Sequence, residues 1–96
     1  LEAKIRAVLI EQKLYLKPNL RIGELADAVK SNKKYVSIVM NERFGSFYTE
    51  LNRLRIEAAM EYKKNHPLAS REEIAIHSGF SNVKTYSRNL KSWERN

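Results

Sequence analysis

The chain carries one short pattern twice. "ELADAVKSNKKYVSIVMN" begins at Glu24 and "EIAIHSGFSNVKTYSRNLK" begins at Glu73. Leu25-Ala26 matches Ile74-Ala75 at an offset of 49 residues, whereas Val36-Ser37 matches Tyr86-Ser87, and Met40 matches Leu90, at an offset of 50. The one-residue difference falls in the turn, where an insertion disturbs packing least. Each copy reads as a short helix, a tight turn and a second helix. The small Ala lets the two helices approach closely. The turn needs a residue at ease in a left-handed conformation, and Gly79 supplies one. Lys30 stands at the matching place in the first copy, where a left-handed lysine costs roughly 1 kcal/mol relative to glycine.

Apolar spacing predicts helices through the rest of the chain. The first, over 2–14, places Ile5, Val8 or Leu9, and Leu16 on one side, and Pro18 disfavours helix at Lys17. The second has Ile22, Leu25, Ala26 and Val29 at i, i+3, i+4, i+7, with Glu24 and Asp27 near its positive end. The third has Asn32 as N-cap, Val36, Val39 and Met40 inward, and Gly45 as the terminating glycine. A long fourth helix over 46–64 puts Phe47, Leu51, Leu54, Ala58 and Tyr62 on one face, with Ser46 giving no strict capping box toward Thr49 or Glu50. It closes at "NHP" before Pro67. The fifth opens on Ser70 with Glu73 three residues on, a capping-box pattern. The sixth spans about 82–94, with Tyr86, Leu90 and Trp93 as its apolar face.

No strand pattern competes, and only three Gly and two Pro interrupt the chain. The expected fold is all-α, a single domain with a first helix-turn-helix subdomain over 1–45, a linker helix over 46–64 and a second subdomain over 65–96. A helix over 46–64 spans roughly 28 Å, and one major groove of DNA presents the same face about every 34 Å. Such a linker suits two helices held near that spacing.

Several chemistries are excluded by residue inventory. There is no Cys, hence no disulfide framework and no thiolate site. His66 and His77 are the only histidines and lack His-x-x-x-His spacing, so no zinc site is expected. Glu72-Glu73 reads as helix-start electrostatics, not as an acid/base pair, and no glycine-rich phosphate loop is present. No enzyme activity and no cofactor are expected. Tyr15, Tyr35, Tyr48, Tyr62 and Tyr86 read as core or rim, not as a base-stacking platform. The longest apolar run, "AVLI" at 7–10, is far too short for a membrane span. No leader is visible, and the start at Leu1 suggests a piece of a longer protein.

Charge points to a partner. The chain has 18 Lys plus Arg against 11 Asp plus Glu, a net +7 at pH 7. Lys84, Ser87, Arg88 and Lys91 recur at i, i+3, i+4, i+7, so they share one face of the sixth helix. A single basic helix face is most often solvated surface. Two of them behind the same turn favour a polyanion.

"ELADAV", "NKKYVSIVMNERFG", "SFYTELNRLRIEAA" and "EEIAIHSGFSN…YSRNLK" together resemble the C-terminal DNA-binding domain of the AraC/XylS family of bacterial transcription regulators. The resemblance covers roughly residues 3–92. Asn52, Arg55 and Ala58 or Ala59 match the family's "N..R...A", and Ile74, Ala75, Gly79 and Phe80 match its "IA...GF". Lys30 departs from the usual turn glycine, Ile38 from a frequent arginine and Leu90 from a usual aromatic. The chain ends at Asn96, where members commonly continue into a last short helix; Trp93 is a candidate to compensate in part.

The resemblance implies a homeodomain-like domain that binds double-stranded DNA through the second helix of each unit. Matching positions are Lys33, Lys34, Ser37, Ile38 and Asn41 in the first unit, and Val83, Lys84, Ser87, Arg88 and Lys91 in the second. Arg88 is the candidate for bidentate guanine reading, and Ile38 and Val83 for thymine methyl contacts, with helix packing an equal use for Val83. Arg55 is expected to serve structure, with phosphate contact or a pair to Glu61 or Glu24 as its possible bonds. The resemblance further implies a cytoplasmic regulator, RNA polymerase as a further partner, and an effector or dimerisation segment in an absent N-terminal part. The alternative is a helical protein-interaction module that keeps the fold without specific DNA reading. A third reading, RNA or anionic membrane held by charge alone, predicts no preference among DNA sequences.

Overall fold

A computed structural model describes residues 1–95. Asn96, the last residue of the expected second unit, lies outside the described residues. Every regular element among them is helical: α1 (Glu2–Ile5), which runs on into a π-helical stretch (Arg6–Glu11); a 3-10 turn (Leu14–Leu16); α2 (Ile22–Ala28); α3 (Lys33–Phe44); α4 (Phe47–Asn65); α5 (Arg71–His77); and α6 (Val83–Glu94). The chain divides into two compact units, one of Leu1–Tyr15 with Leu20–Leu51, the other of Leu16–Asn19 with the residues from Asn52 on.

In the first unit the opening helix is shorter than its apolar spacing predicts. Gln12 N donates to Ala7 O at 2.8 Å, five residues back, and Lys13 then turns left-handed at φ 61. Ile5 and Leu9 are fully buried, but Leu16 falls on the separate 3-10 turn and is half-buried. Widening of the helix by one residue per turn, then reversal of φ, takes Leu16 off the stripe. Glu2 sits between Arg6 (3.1 Å) and Arg43 (3.3 Å), and Arg6 also lies over the Phe44 ring at 4.7 Å. The Glu2–Arg43 pair joins α1 to α3 and the Glu2–Arg6 pair runs along the opening helix, but exposed ion pairs contribute little stability each. The buried side chains Leu25 and Ala26 of α2, Val29 at its C-cap, and Val36 and Met40 of α3 supply the main packing.

Local capping explains where the helices start. Tyr35 N donates to Asn32 Oδ1 at 3.0 Å, and Arg21 N donates to the Glu24 carboxylate at 3.0 Å. Ser46 does cap α4: its Oγ accepts from Thr49 N at 3.0 Å and donates to Thr49 Oγ1 at 2.8 Å. The Thr49 hydroxyl thus holds the capping side chain, while no reciprocal bond among the described residues to the Ser46 backbone N–H completes a box. Gly45, at φ 88, ends α3 as expected.

α4 does not bury one stripe. Phe47 and Leu51 are buried in the first unit, and Leu54, Arg55, Ile56 and Ala59 in the second. Ala58 and Tyr62, placed inward by spacing, are only half-buried. A helix that serves two cores cannot follow a single 3.6-residue pattern.

The second core comprises Ile56, Ala59, Ile74, Ala75, Phe80 and Tyr86, with Tyr62, Ala69, Val83 and Leu90 packed at its edge. Phe80 and Tyr86 pack ring on ring with centroids 5.5 Å apart. Ser78, fully buried, returns its hydroxyl to Ile74 O at 2.7 Å, so no polar atom is stranded there. Trp93 is 37% exposed and does not extend this core. Ser70 caps α5 by accepting from Glu73 N at 3.1 Å. The reciprocal half of the box is diverted: Glu73 Oε2 accepts instead from Tyr62 Oη at 2.6 Å.

Candidate nucleic-acid interface

The duplicated turn is geometrically duplicated. In the first copy Lys30 N donates to Asp27 O at 3.1 Å and Ser31 N to Ala26 O at 2.9 Å. In the second, Gly79 N donates to Ile76 O at 3.2 Å and Phe80 N to Ala75 O at 3.0 Å. Every one of these four pairs is related by the offset of 49. Lys30 and Gly79 both have positive φ, 58 and 92. The pattern satisfies the last carbonyls of the first helix and reverses the chain. Asn32 and Asn82 then cap α3 and α6 at the offset of 50, so Ser81 is the inserted residue. Ala26 and Ala75, both buried, leave room for α3 and α6 to cross closely.

What the turn delivers is an outward helix face in each unit. On α6, Lys84, Arg88 and Lys91 are exposed and Ser87 is half-buried among them. No carboxylate among the described residues pairs with these three cations. Tyr86 and Leu90 occupy the opposite side, against the core. Val83 is half-buried and packs at the edge of that core, so only part of its side chain faces outward.

On α3, Lys33, Lys34, Ile38 and Asn41 are exposed and Ser37 is half-buried. Ile38 keeps 43% of its surface exposed, an apolar side chain at the middle of the face. Lys33 leans back over α2: a Cβ placed on Gly23 would lie 2.8 Å from its Cε. Its stem therefore covers the backbone of Gly23, while Lys34 belongs to the open side. The first face is thus less cationic than the second.

Arg55 serves the interior. It is 7% exposed, and its Nη2 donates to the Lys17 carbonyl at 2.7 Å within the second unit. Burial pushes its pKa down from the usual arginine value, yet a guanidinium stays charged in proteins. The contact pins the short segment around Lys17 to α4.

Sequence reasoning missed Arg71. Its Nη2 donates to Ser87 Oγ at 2.6 Å, and its guanidinium carbon lies 5.7 Å from the centre of the Tyr86 ring. A contact across 16 residues, between helices joined by a turn, has no local sequence signature. Knowing that α5 and α6 pair would have been needed to find it.

No protein-family model matches this chain, and no curated protein does. Among solved structures it is similar to the crystal structure of the C-terminal domain of the two-component response regulator yesN from Fusobacterium nucleatum subsp. nucleatum ATCC 25586. The two share 23% sequence identity over 97% of this chain and 96% of that one, with a TM-score of 0.77. The likeness establishes the all-helical fold. No helix among the described residues is long and apolar enough to cross a membrane.

Proposed function

We propose that this chain is the duplex-DNA-binding part of a bacterial transcription regulator of the AraC/XylS type. The observation that carries the reading is the repetition of one helix-turn-helix geometry with an outward polar face behind each turn, the second bearing Lys84, Arg88 and Lys91 with no carboxylate partner among the described residues. A helix of this kind supplies cations to phosphates and side chains to base edges in the major groove. Lys34, Ser37, Ile38 and Asn41 form the reading face of the first unit, with Lys33 at its flank. Lys84, Ser87, Arg88 and Lys91, with the outer part of Val83, form that of the second. Arg88 is the guanine reader, and Ile38 meets a thymine methyl.

The two reading helices engage successive major-groove faces. The yesN domain is the C-terminal part of a response regulator, and a similar setting is inferred here: a cytoplasmic protein with a sensing or dimerising segment before these residues, RNA polymerase as a further partner, and no catalysis.

Exposed Met60, Leu68 and Ile76 in the second unit favour a second reading, a protein-interaction module. Salt dependence separates the two. A DNA binder titrated with a mixed-sequence duplex loses affinity linearly in log salt, with slope about −0.9 per phosphate contact. Absence of duplex binding at low salt rejects the proposal in favour of the module.

A further inference from the structure

The second unit contains a cation that the reading face of α6 does not include. Arg71 is the first residue of α5 and is exposed, yet its guanidinium is held in place. One edge donates to Ser87 Oγ at 2.6 Å, and its carbon lies 5.7 Å from the Tyr86 ring centre. No carboxylate among the described residues pairs with it. A guanidinium has five donors in a rigid fork, and one bond to a hydroxyl leaves the rest free. Ser87 is one turn from Lys84 and Lys91 on the outward face of α6, so Arg71 is anchored at the border of that face.

We propose that Arg71 is a phosphate-contacting residue of the second unit, fixed beside the reading helix by Ser87 and Tyr86. The inference rests on the duplex-binding reading above. In a helix-turn-helix the second helix enters the groove while the first crosses the backbone, which puts a side chain of α5 next to phosphate, not base. Arginine binds phosphate in two parallel bonds, and its fork loses less freedom on binding when one edge is already held. The bond also changes the role of Ser87. Its oxygen accepts from Arg71 with one lone pair, which leaves its proton and one further lone pair for an outward partner. The first unit has no such cation at the matching place: at the offset of 49 residues Ile22 stands where Arg71 stands. The two units therefore grip the backbone unequally.

The test is fluorescence anisotropy of the whole chain with a labelled mixed-sequence duplex, titrated across salt concentration, for the parent, Arg71→Gln and Arg71→Lys. Arg71→Gln keeps a donor for Ser87 and removes the charge; thermal unfolding of each variant checks the fold. The expected result is a salt slope shallower by about 0.9 for Arg71→Gln, the same on every duplex sequence, and recovery of the slope in Arg71→Lys. An unchanged slope in a folded Arg71→Gln, while the parent still binds, overturns the assignment and leaves the duplex-binding reading intact. A loss confined to duplexes that differ at one base pair also overturns it, by making Arg71 a base reader. A parent chain that binds no duplex removes both.

Discussion

Lys30 and Gly79 occupy the same left-handed position in two copies of one turn, with φ 58 and φ 92 and the same pair of backbone hydrogen bonds around each. Only the second copy has the residue that the conformation prefers. The first accepts a strained lysine because Val29, buried just before it, and the Asn32 cap just after it fix the chain on both sides.

The strain predicts opposite outcomes at the two sites. Lys30→Gly is expected to raise stability by up to about 1 kcal/mol, and Gly79→Ala to lower it by about 1–2 kcal/mol. Thermal unfolding checks both. A Lys30→Gly variant less stable than the parent would show that the lysine side chain contributes more than its backbone costs.

Arg55 gives a test of structure against DNA contact. Arg55→Ala removes the bond to the Lys17 carbonyl and is expected to destabilise the chain by about 1.5–3 kcal/mol, the range for hydrogen bonds to charged groups. The salt slope of duplex binding, measured well below the unfolding temperature, is expected to stay the same. A shallower slope would make Arg55 a phosphate contact.

Tyr62 carries a pH dependence. Its ring lies between His66 (centroids 4.1 Å apart) and His77 (4.4 Å), and its hydroxyl donates to Glu73. That hydrogen bond first, then burial and the negative charge of Glu73, raise the phenol pKa above its ordinary value. The folded state thus holds the phenolic proton more tightly than the unfolded state does. Stability from this group is fully present below the unfolded phenol pKa of about 10 and is lost as pH rises through the folded value. Tyr62→Phe is expected to melt lower at pH 8 and to lose less on going to alkaline pH. An identical alkaline slope in both proteins would count against the bond.

Arg88 is the proposed base reader of the second unit. Arg88→Ala is expected to cost about 1–3 kcal/mol, roughly 5- to 150-fold in affinity, on a preferred duplex and to relax preference at one base pair. Competition among duplexes that differ at single positions measures it. An equal loss on all of them reduces Arg88 to a phosphate contact.

The parts legible in the sequence were those fixed by neighbours in the chain. Asn32, Ser70 and Gly45 act within one turn of helix, and the two turns repeat because their residues do. Contacts made across the fold were not legible. Glu73 completes a capping box by spacing, yet Tyr62 takes its carboxylate from 11 residues away. Ile56 and Ala59 escaped the apolar stripe of α4 because two cores share that helix. The π-helical stretch at Arg6–Glu11 arises from backbone widening that apolar spacing does not encode. Lys33, equal to Lys34 in the sequence, is separated from it only by its lean over Gly23.

Sequence-specific reading of duplex DNA by both units is tested most directly by selecting binding sites from a random duplex pool with this chain at near-physiological salt. The account predicts enrichment of two short elements about one helical turn apart. A pool that emerges with no enriched element would contradict it, and one element alone would limit base reading to a single unit.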